Sequence, residues 1–169
     1  MARSKHAHSD FVWPNRGELV RHAEDDDLWK QYLRTKVHID SPAGGGTVWP
    51  AESGEVLPPL GPLHVITAVQ PDSVPTSDEN AARLSVLDHE LDTESVHFMH
   101  AVGLSLDDDY HETSRAVFGL TDARARDIGG RFGQVAIFAW HGRRWSLFAC
   151  ATDRQTHRGW RWIQDGSAR

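Results

Sequence analysis

Polar side chains cluster where an apolar run of the chain gives way to a helical pattern. The run covers residues 63–69 and contains Thr67; Gln70 follows it, and Asn80 and Arg83 lie at the start of the helical pattern. Free backbone amides and the positive end of a helix dipole favour an anionic or polar ligand at such a junction. We therefore expect Thr67, Gln70, Asn80 and Arg83 to contact a ligand. The alternative interpretation is an ordinary helix cap with its turn residues.

Two further polar residues stand beside predicted strands. Glu112 precedes an apolar strand pattern, where a carboxyl group can act as a general acid or base or can contact a ligand. A surface salt bridge to an arginine of the C-terminal region is the alternative for this residue. Gln134 follows Gly133, and its amide can bind a ligand or cap the preceding helix.

The sequence predicts neither a metal site nor a cofactor site. Its eleven histidines show no recognised ligand spacing, and no phosphate-binding glycine motif or lysine loop occurs. The single cysteine, Cys150, lies in an apolar stretch and is expected to be structural. One cysteine, no apolar run long enough to span a bilayer and no secretory pattern together favour a cytoplasmic protein.

Charge is unevenly distributed along the chain, which has a net charge of -6. Residues 72–112 carry eleven acidic side chains against one arginine, whereas residues 113–169 carry ten arginines against four aspartates. The acidic and basic regions could pair within the fold. Alternatively, Arg154, Arg158 and Arg161, which flank two tryptophans, could contact nucleic acid.

Hydrophobic periodicity predicts the elements that would position these groups. Helical spacing covers residues 18–34, 77–91 and 121–132, and strand patterns cover residues 35–40, 63–69, 97–103, 115–120, 135–140 and 145–151. Strands interleaved with helices are typical of α/β folds. We therefore expect a mixed sheet with flanking helices and an antiparallel C-terminal hairpin formed by the last two strands.

Composition divides the chain into three parts. Residues 1–16 are polar and aperiodic, so we expect a flexible N-terminal arm. Residues 17–152 are expected to form a single α/β domain with a Pro/Gly-rich loop at 41–62. Residues 153–169 form a basic, tryptophan-containing C-terminal segment, expected to be an edge strand or a binding tail.

Short motifs in a fixed order give the chain a family resemblance. The phrase His64–Val69 is followed by Gln70-Pro71, Glu79-Asn80 and Arg83, then by Glu112, and then by residues 131–134 leading into a strand. This order resembles the bacterial family filed as domain of unknown function 3293, over about residues 28–150. The family pattern usually has Asn where this chain has Gln70. The resemblance implies domain limits and residues to test, and it implies no particular reaction.

The sequence thus supports two functional hypotheses of different classes. In the first, the protein binds a small polar ligand, with a nucleotide-like molecule as one candidate. It would then act as a binding protein, or as a hydrolase or transferase with Glu112 as acid or base. In the alternative, the protein is a regulatory or interaction module that contacts nucleic acid or another protein through its basic C-terminal segment. The oligomeric state is left open.

Overall fold

The computed structural model describes residues 5–54, 58–71 and 73–166. After a short 3-10 helix at His8–Asp10, the elements are helices α1 to α4 and strands β1 to β8. In chain order they are α1 (Arg16–Glu24), α2 (Asp26–Leu33), β1 (Thr35–Ile39), β2 (Gly46–Ala51), β3 (Leu63–Ile66), α3 (Asp78–Thr93), β4 (Phe98–Ser105), β5 (His111–Val117), α4 (Asp122–Arg131), β6 (Ala136–His141), β7 (Arg144–Ala149) and β8 (Gln155–Gln164).

The eight strands form a closed barrel in the order β1-β2-β8-β7-β6-β3-β5-β4, with β4 pairing back to β1. Every pair is antiparallel. The predicted mixed α/β sheet with flanking helices is therefore wrong. The antiparallel hairpin that was expected as part of that sheet is present in the barrel as β6 and β7.

The error in fold class has a physical cause in β3. All four residues of this strand are buried, a pattern that is typical of parallel strands covered on both faces. Here the inner face of β3 lies inside the barrel and its outer face lies under helices. The strands that α3 and α4 connect run in the same direction but do not pair: β5 lies between β3 and β4, and β3 lies between β5 and β6. A helix between two strands therefore did not indicate a parallel pair, because an antiparallel strand is inserted between the two, and both helices cover the outside of the barrel.

The two outer helices begin and end at well-defined signals. The Ser77 side chain accepts a hydrogen bond from the Asn80 amide and caps α3, and Thr121 caps α4 in the same way through the Arg124 amide. Their apolar faces form one cluster with the outer faces of β3 and β6, including Ile66, Leu87, Ile128, Phe132 and Ile137. This packing holds the loops at the ends of β3 and α4 in fixed positions.

Helices α1 and α2 form a pair that packs over one end of the barrel. The Asp25 carboxylate caps the start of α2 by accepting hydrogen bonds from the Asp27 and Leu28 backbone amides at 3.0 and 3.2 Å. The buried Trp29 packs with Leu147 and Ala149, and its indole N–H donates to the Thr156 hydroxyl at 2.9 Å. The helix pair is thus fixed to β7 and β8.

Four tryptophans fill the opposite end of the barrel. The Trp140 ring lies 6.2, 5.0 and 5.5 Å from the rings of Trp145, Trp160 and Trp162 respectively. We call these four residues the tryptophan layer. Large rings packed at these distances leave no room for a ligand at this end of the barrel. The interior of the barrel is therefore filled by side chains at one end only.

Two segments outside the predicted strands contribute to the barrel. The Pro/Gly-rich stretch at 41–62, expected to be a loop, contains β2, and the basic C-terminal segment, expected to be an edge strand or a binding tail, contains β8. β8 pairs with β2 on one side and with β7 on the other, which closes the barrel. Within the described part of the chain, no helix is long and apolar enough to cross a membrane.

Candidate functional site

A cavity of about 510 Å³ occupies the end of the barrel that the tryptophan layer leaves unfilled. It is lined by the start of β1, β5 and β6, the end of β4, the segment from β3 to Pro71 and one side of α2. Its apolar wall is formed by Leu28, Val37, Val65, Val69, Leu104, Leu106, Val135, Ala136, Phe138 and Leu147. Its rim carries the exposed Gln31, Arg34, Asp107 and Tyr110, so the cavity opens toward solvent there.

Three residues that the sequence analysis selected line this cavity together: Thr67, Glu112 and Gln134. They come from the end of β3, the start of β5 and the turn between α4 and β6. Strand pairing explains their convergence, because β3 pairs with β5 on one side and with β6 on the other. Their roles as catalytic or ligand-binding residues stay predictions.

Glu112 supplies the carboxyl group of the cavity wall. Burial raises its pKa above the ordinary value, and the hydrogen bond that the Tyr110 hydroxyl donates to its Oε2 at 2.8 Å partly opposes that change. Burial raises the pKa of the Tyr110 hydroxyl as well, and the neighbouring Glu112 carboxylate adds to this change. A carboxyl group in this environment can hold or release a proton, or can pair with a cationic ligand.

Gly103 lies directly opposite Glu112 across the β4–β5 pair. A Cβ atom at this position would have no neighbour nearer than the Glu112 side chain, at 3.8 Å. Larger side chains at position 103 would therefore project beside Glu112, so this glycine contributes to the space inside the barrel.

Thr67 and Gln134 are buried and are bonded to the backbone. The Thr67 hydroxyl donates to the Thr113 carbonyl at 2.6 Å and accepts from the Val69 amide at 3.1 Å. The Gln134 amide nitrogen donates to the carbonyls of Val69 and Phe132, both at 3.1 Å. Both side chains are thus held rigidly by the loops at the mouth of the barrel.

Gln70 and Asn80, in contrast, are not among the described residues that line the cavity. The Asn80 amide accepts from the Gln70 backbone N–H at 3.1 Å and donates to the Ser73 hydroxyl and the Val74 carbonyl at 2.8 and 2.9 Å. The Gln70 amide nitrogen donates to the carbonyls of Ala68 and Phe132 at 2.8 and 3.0 Å. These bonds fix the loop between β3 and α3, a structural role.

Arg83 is buried on α3, away from the cavity. Its guanidinium group lies between the rings of Phe11 and Trp13, at 4.8 and 4.5 Å, and donates to the Val12 carbonyl at 3.1 Å. The described part of the predicted N-terminal arm is therefore packed against the helices outside the barrel, through Arg83 and through ring contacts of His8 and Trp13 with Phe132.

The three C-terminal arginines differ in their surroundings. Arg154 lies over the Trp29 ring at 4.7 Å and donates to the Ala23 carbonyl and to Asp26 at 3.0 and 2.8 Å, which ties β8 to the helix pair. Arg161 lies 5.7 Å from the Trp49 ring, and Arg158 is exposed. Nucleic-acid contact through these residues stays a prediction.

Two other kinds of site, a metal site and a reactive thiol, can be compared with the described residues. No group of three or more His, Cys, Asp or Glu side chains among them could hold a metal ion. Burial raises the pKa of the Cys150 thiol to about 12, so this group is a poor thiolate nucleophile.

Most of the residues of the cavity wall were not predicted as site residues from the sequence, including Gly103, Tyr110, Phe138 and Leu147. One signal was available: Glu112, Ser114 and Ala116 alternate along β5, and all three face the barrel interior. Alternation of this kind on every strand is the signature of a closed barrel with an interior of its own.

Fold and site together define an antiparallel β-barrel protein with a ligand-sized internal cavity. The family model described as "Protein of unknown function (DUF3293)" matches residues 66–137, which confirms the resemblance expected from the motifs. The matched region runs from the end of β3 to the start of β6 and contains Thr67, Glu112 and Gln134. No curated protein and no solved structure matches the chain.

Proposed function

We propose that this protein binds a small organic molecule inside its barrel, with Glu112 as the polar anchor. The observation that carries the proposal is the 510 Å³ cavity, which lies within the usual size range of ligand sites and contains a carboxyl group. The site is preformed, because strands and capped helices fix its walls. We also propose a cytoplasmic setting, on the evidence of the single cysteine.

The wall composition supports a ligand with a mainly apolar body. Valine, leucine and phenylalanine side chains form most of the enclosed surface, and burying apolar ligand area against them is favourable by about 25 cal/mol per Å². The polar groups lie at one side and at the rim, where they would orient the ligand. This division between apolar wall and few polar groups is typical of small-molecule sites.

A catalytic role for Glu112 is a second candidate, favoured by its raised pKa. A carboxyl group that keeps its proton nearer to neutral pH is suited to general acid catalysis. However, no histidine or cysteine lines the cavity among the described residues, and the Ser114 hydroxyl donates to the Glu112 carbonyl at 3.3 Å. The described wall thus offers no activated nucleophile, which favours binding over covalent catalysis.

A graded series at Gly103 tests the proposed site. We would titrate the neutral fluorescent probe N-phenyl-1-naphthylamine into the wild-type protein and into the Gly103→Ala, Gly103→Val and Gly103→Leu variants. We expect saturable binding at one site, affinity near the wild-type value for alanine, and at least tenfold weaker binding for leucine. The progression follows because side-chain atoms beyond Cβ enter the space beside Glu112.

Circular dichroism and urea unfolding would establish that each variant is folded. The valine variant keeps the test decisive if the leucine variant does not fold, since a β-branched residue fits a strand better than glycine does. Equal probe affinity across all folded variants would place binding elsewhere and overturn the proposal, and so would the absence of saturable binding to the wild type.

A further inference from the structure

Five of the hydroxyl groups that line the cavity donate hydrogen bonds to carbonyl or carboxyl oxygens within the protein. Thr35 donates to Gln31 at 3.2 Å, Thr67 to Thr113 at 2.6 Å, Ser105 to Asp107 at 2.7 Å, Tyr110 to the Glu112 side chain at 2.8 Å, and Ser114 to the Glu112 backbone at 3.3 Å. The Gln134 amide nitrogen is likewise committed to two carbonyls. Inside the cavity, these groups have no further proton to offer a ligand.

Acceptor capacity remains on the same wall. Among the described residues, no hydrogen bond engages Oε1 of Glu112 or the side-chain oxygen of Gln134. No described ion pair involves Glu112 either. The one cationic side chain among the described lining residues, Arg34, is exposed at the rim. Within the ranges 5–54, 58–71 and 73–166, the ionised form of Glu112 thus has no ion-pair partner.

We propose that the cavity selects an organic cation, a primary or secondary amine on an apolar body, whose ammonium group pairs with Glu112. This inference rests on the proposed function and names the ligand class of the same site. The ammonium N–H groups match a wall that accepts hydrogen bonds, and the apolar body matches the valine, leucine and phenylalanine surface.

Anionic and neutral ligands fit this wall less well than an amine. A carboxylate or phosphate would bring more acceptors and a second negative charge to Glu112, and the engaged hydroxyls could not offset them. An alcohol of the same shape would donate one neutral hydrogen bond, which is weaker than a charge-assisted one. The order of affinity should therefore be amine, then alcohol, then carboxylate.

Three ligands on one body test this order: 2-phenylethylamine, 2-phenylethanol and phenylacetate. Each would compete with bound N-phenyl-1-naphthylamine at neutral pH, with calorimetry as a direct measurement. We expect the amine to bind at least tenfold more tightly than the alcohol, and the carboxylate to bind most weakly. In the Glu112→Gln variant the preference for the amine over the alcohol should disappear. The Glu24→Gln variant, which removes an exposed carboxylate from the end of α1, should keep it.

The outcomes separate the two proposals. If the neutral probe binds in the cavity but the amine has no advantage over the alcohol, the ligand class is wrong and the site stands. The same conclusion follows if the carboxylate competes best, or if Glu112→Gln keeps the amine preference. Failure of the neutral probe itself to bind would instead overturn the proposed function. If Glu112→Gln is unfolded, Glu112→Ala replaces it: this variant should likewise lose the preference for the amine over the alcohol, and a retained preference would contradict the inference.

Discussion

Trp140 and Trp160 should respond very differently to the same substitution, although both lie in the tryptophan layer beneath the cavity. Both are almost fully buried, at 0% and 3% exposure, and their rings are 5.0 Å apart. The Trp160 indole N–H donates to the Gly142 carbonyl at 2.8 Å. The Trp140 indole N–H is buried without a partner among the described residues.

Replacing either tryptophan by phenylalanine removes the same atoms, so the packing loss largely cancels when the two variants are compared. Trp160→Phe also breaks a hydrogen bond, which costs about 1 kcal/mol. Trp140→Phe removes an unsatisfied buried donor, which returns about 1–3 kcal/mol. Trp160→Phe should therefore be the less stable variant by about 2–4 kcal/mol, a large part of the roughly 5–15 kcal/mol stability of an ordinary domain.

Urea unfolding followed by far-ultraviolet circular dichroism measures this difference without relying on tryptophan emission. Equal slopes of the two transitions would show that the comparison reports stability alone. A Trp140→Phe variant as unstable as Trp160→Phe, or less stable, would refute the claim that the hydrogen bond of the Trp160 indole and the unpaired Trp140 indole set this difference in stability.

Three further predictions concern the walls around the cavity. Asp25→Ala should lower the free energy of unfolding by about 1 kcal/mol, because it removes the cap of α2; thermal unfolding would show this, and an unchanged midpoint would contradict it. Gly133→Ala should cost more than Gly119→Ala in urea unfolding. Both have positive φ, but only at position 133 would the new Cβ lie 2.6 Å from other atoms, an overpacking cost of about 1–3 kcal/mol. Because burial raises the pKa of Glu112, the stability from its neutral form is present below the unfolded pKa, near 4.5, and is lost as the pH rises through the folded pKa. Urea midpoints should therefore move in favour of Glu112→Gln over wild type between pH 4.5 and 7.5, and parallel pH profiles would contradict this.

Local elements were predictable from the sequence because their signals are local. The leucine spacing of α3, the Thr121 cap of α4 and the short turn between β6 and β7 each lie within a few residues of the element they define. The structure has these elements close to the predicted positions. Such signals fix which segments are helices or strands without fixing which strands pair.

Barrel closure was not predictable in this way because it depends on distant pairs. β2 contains Gly46 and Pro50, residues that are rare inside strands, and it is stabilised by pairing with β1 and β8. Gly46 is required there because a Cβ atom would lie 2.5 Å from the Trp162 ring. Only the folded structure shows that contact, so the composition of this stretch predicted a loop.

The candidate site, like the fold, could be predicted only in part from the sequence. Glu112 and Gln134 were selected as polar residues beside strands, and pairing through β3 places them on one cavity wall. Asn80 and Arg83 were selected at the start of a predicted helix, and their side chains contact the loop after β3 and the N-terminal segment instead. Residue type alone pointed to polar side chains that form specific contacts. Only the three-dimensional arrangement shows whether such a side chain lines the cavity or stabilises a loop.

The seam between β2 and β8 has a consequence for synthesis on the ribosome. β2 is translated early, yet its partner β8 is the last strand of the described chain, more than a hundred residues later. Until β8 emerges, a nascent chain leaves β2 and β7 each with an unpaired edge, and such edges attract strands from neighbouring chains. Joining segments so far apart is also slow. The last step of assembly is therefore the one in which a growing chain most needs protection from its neighbours.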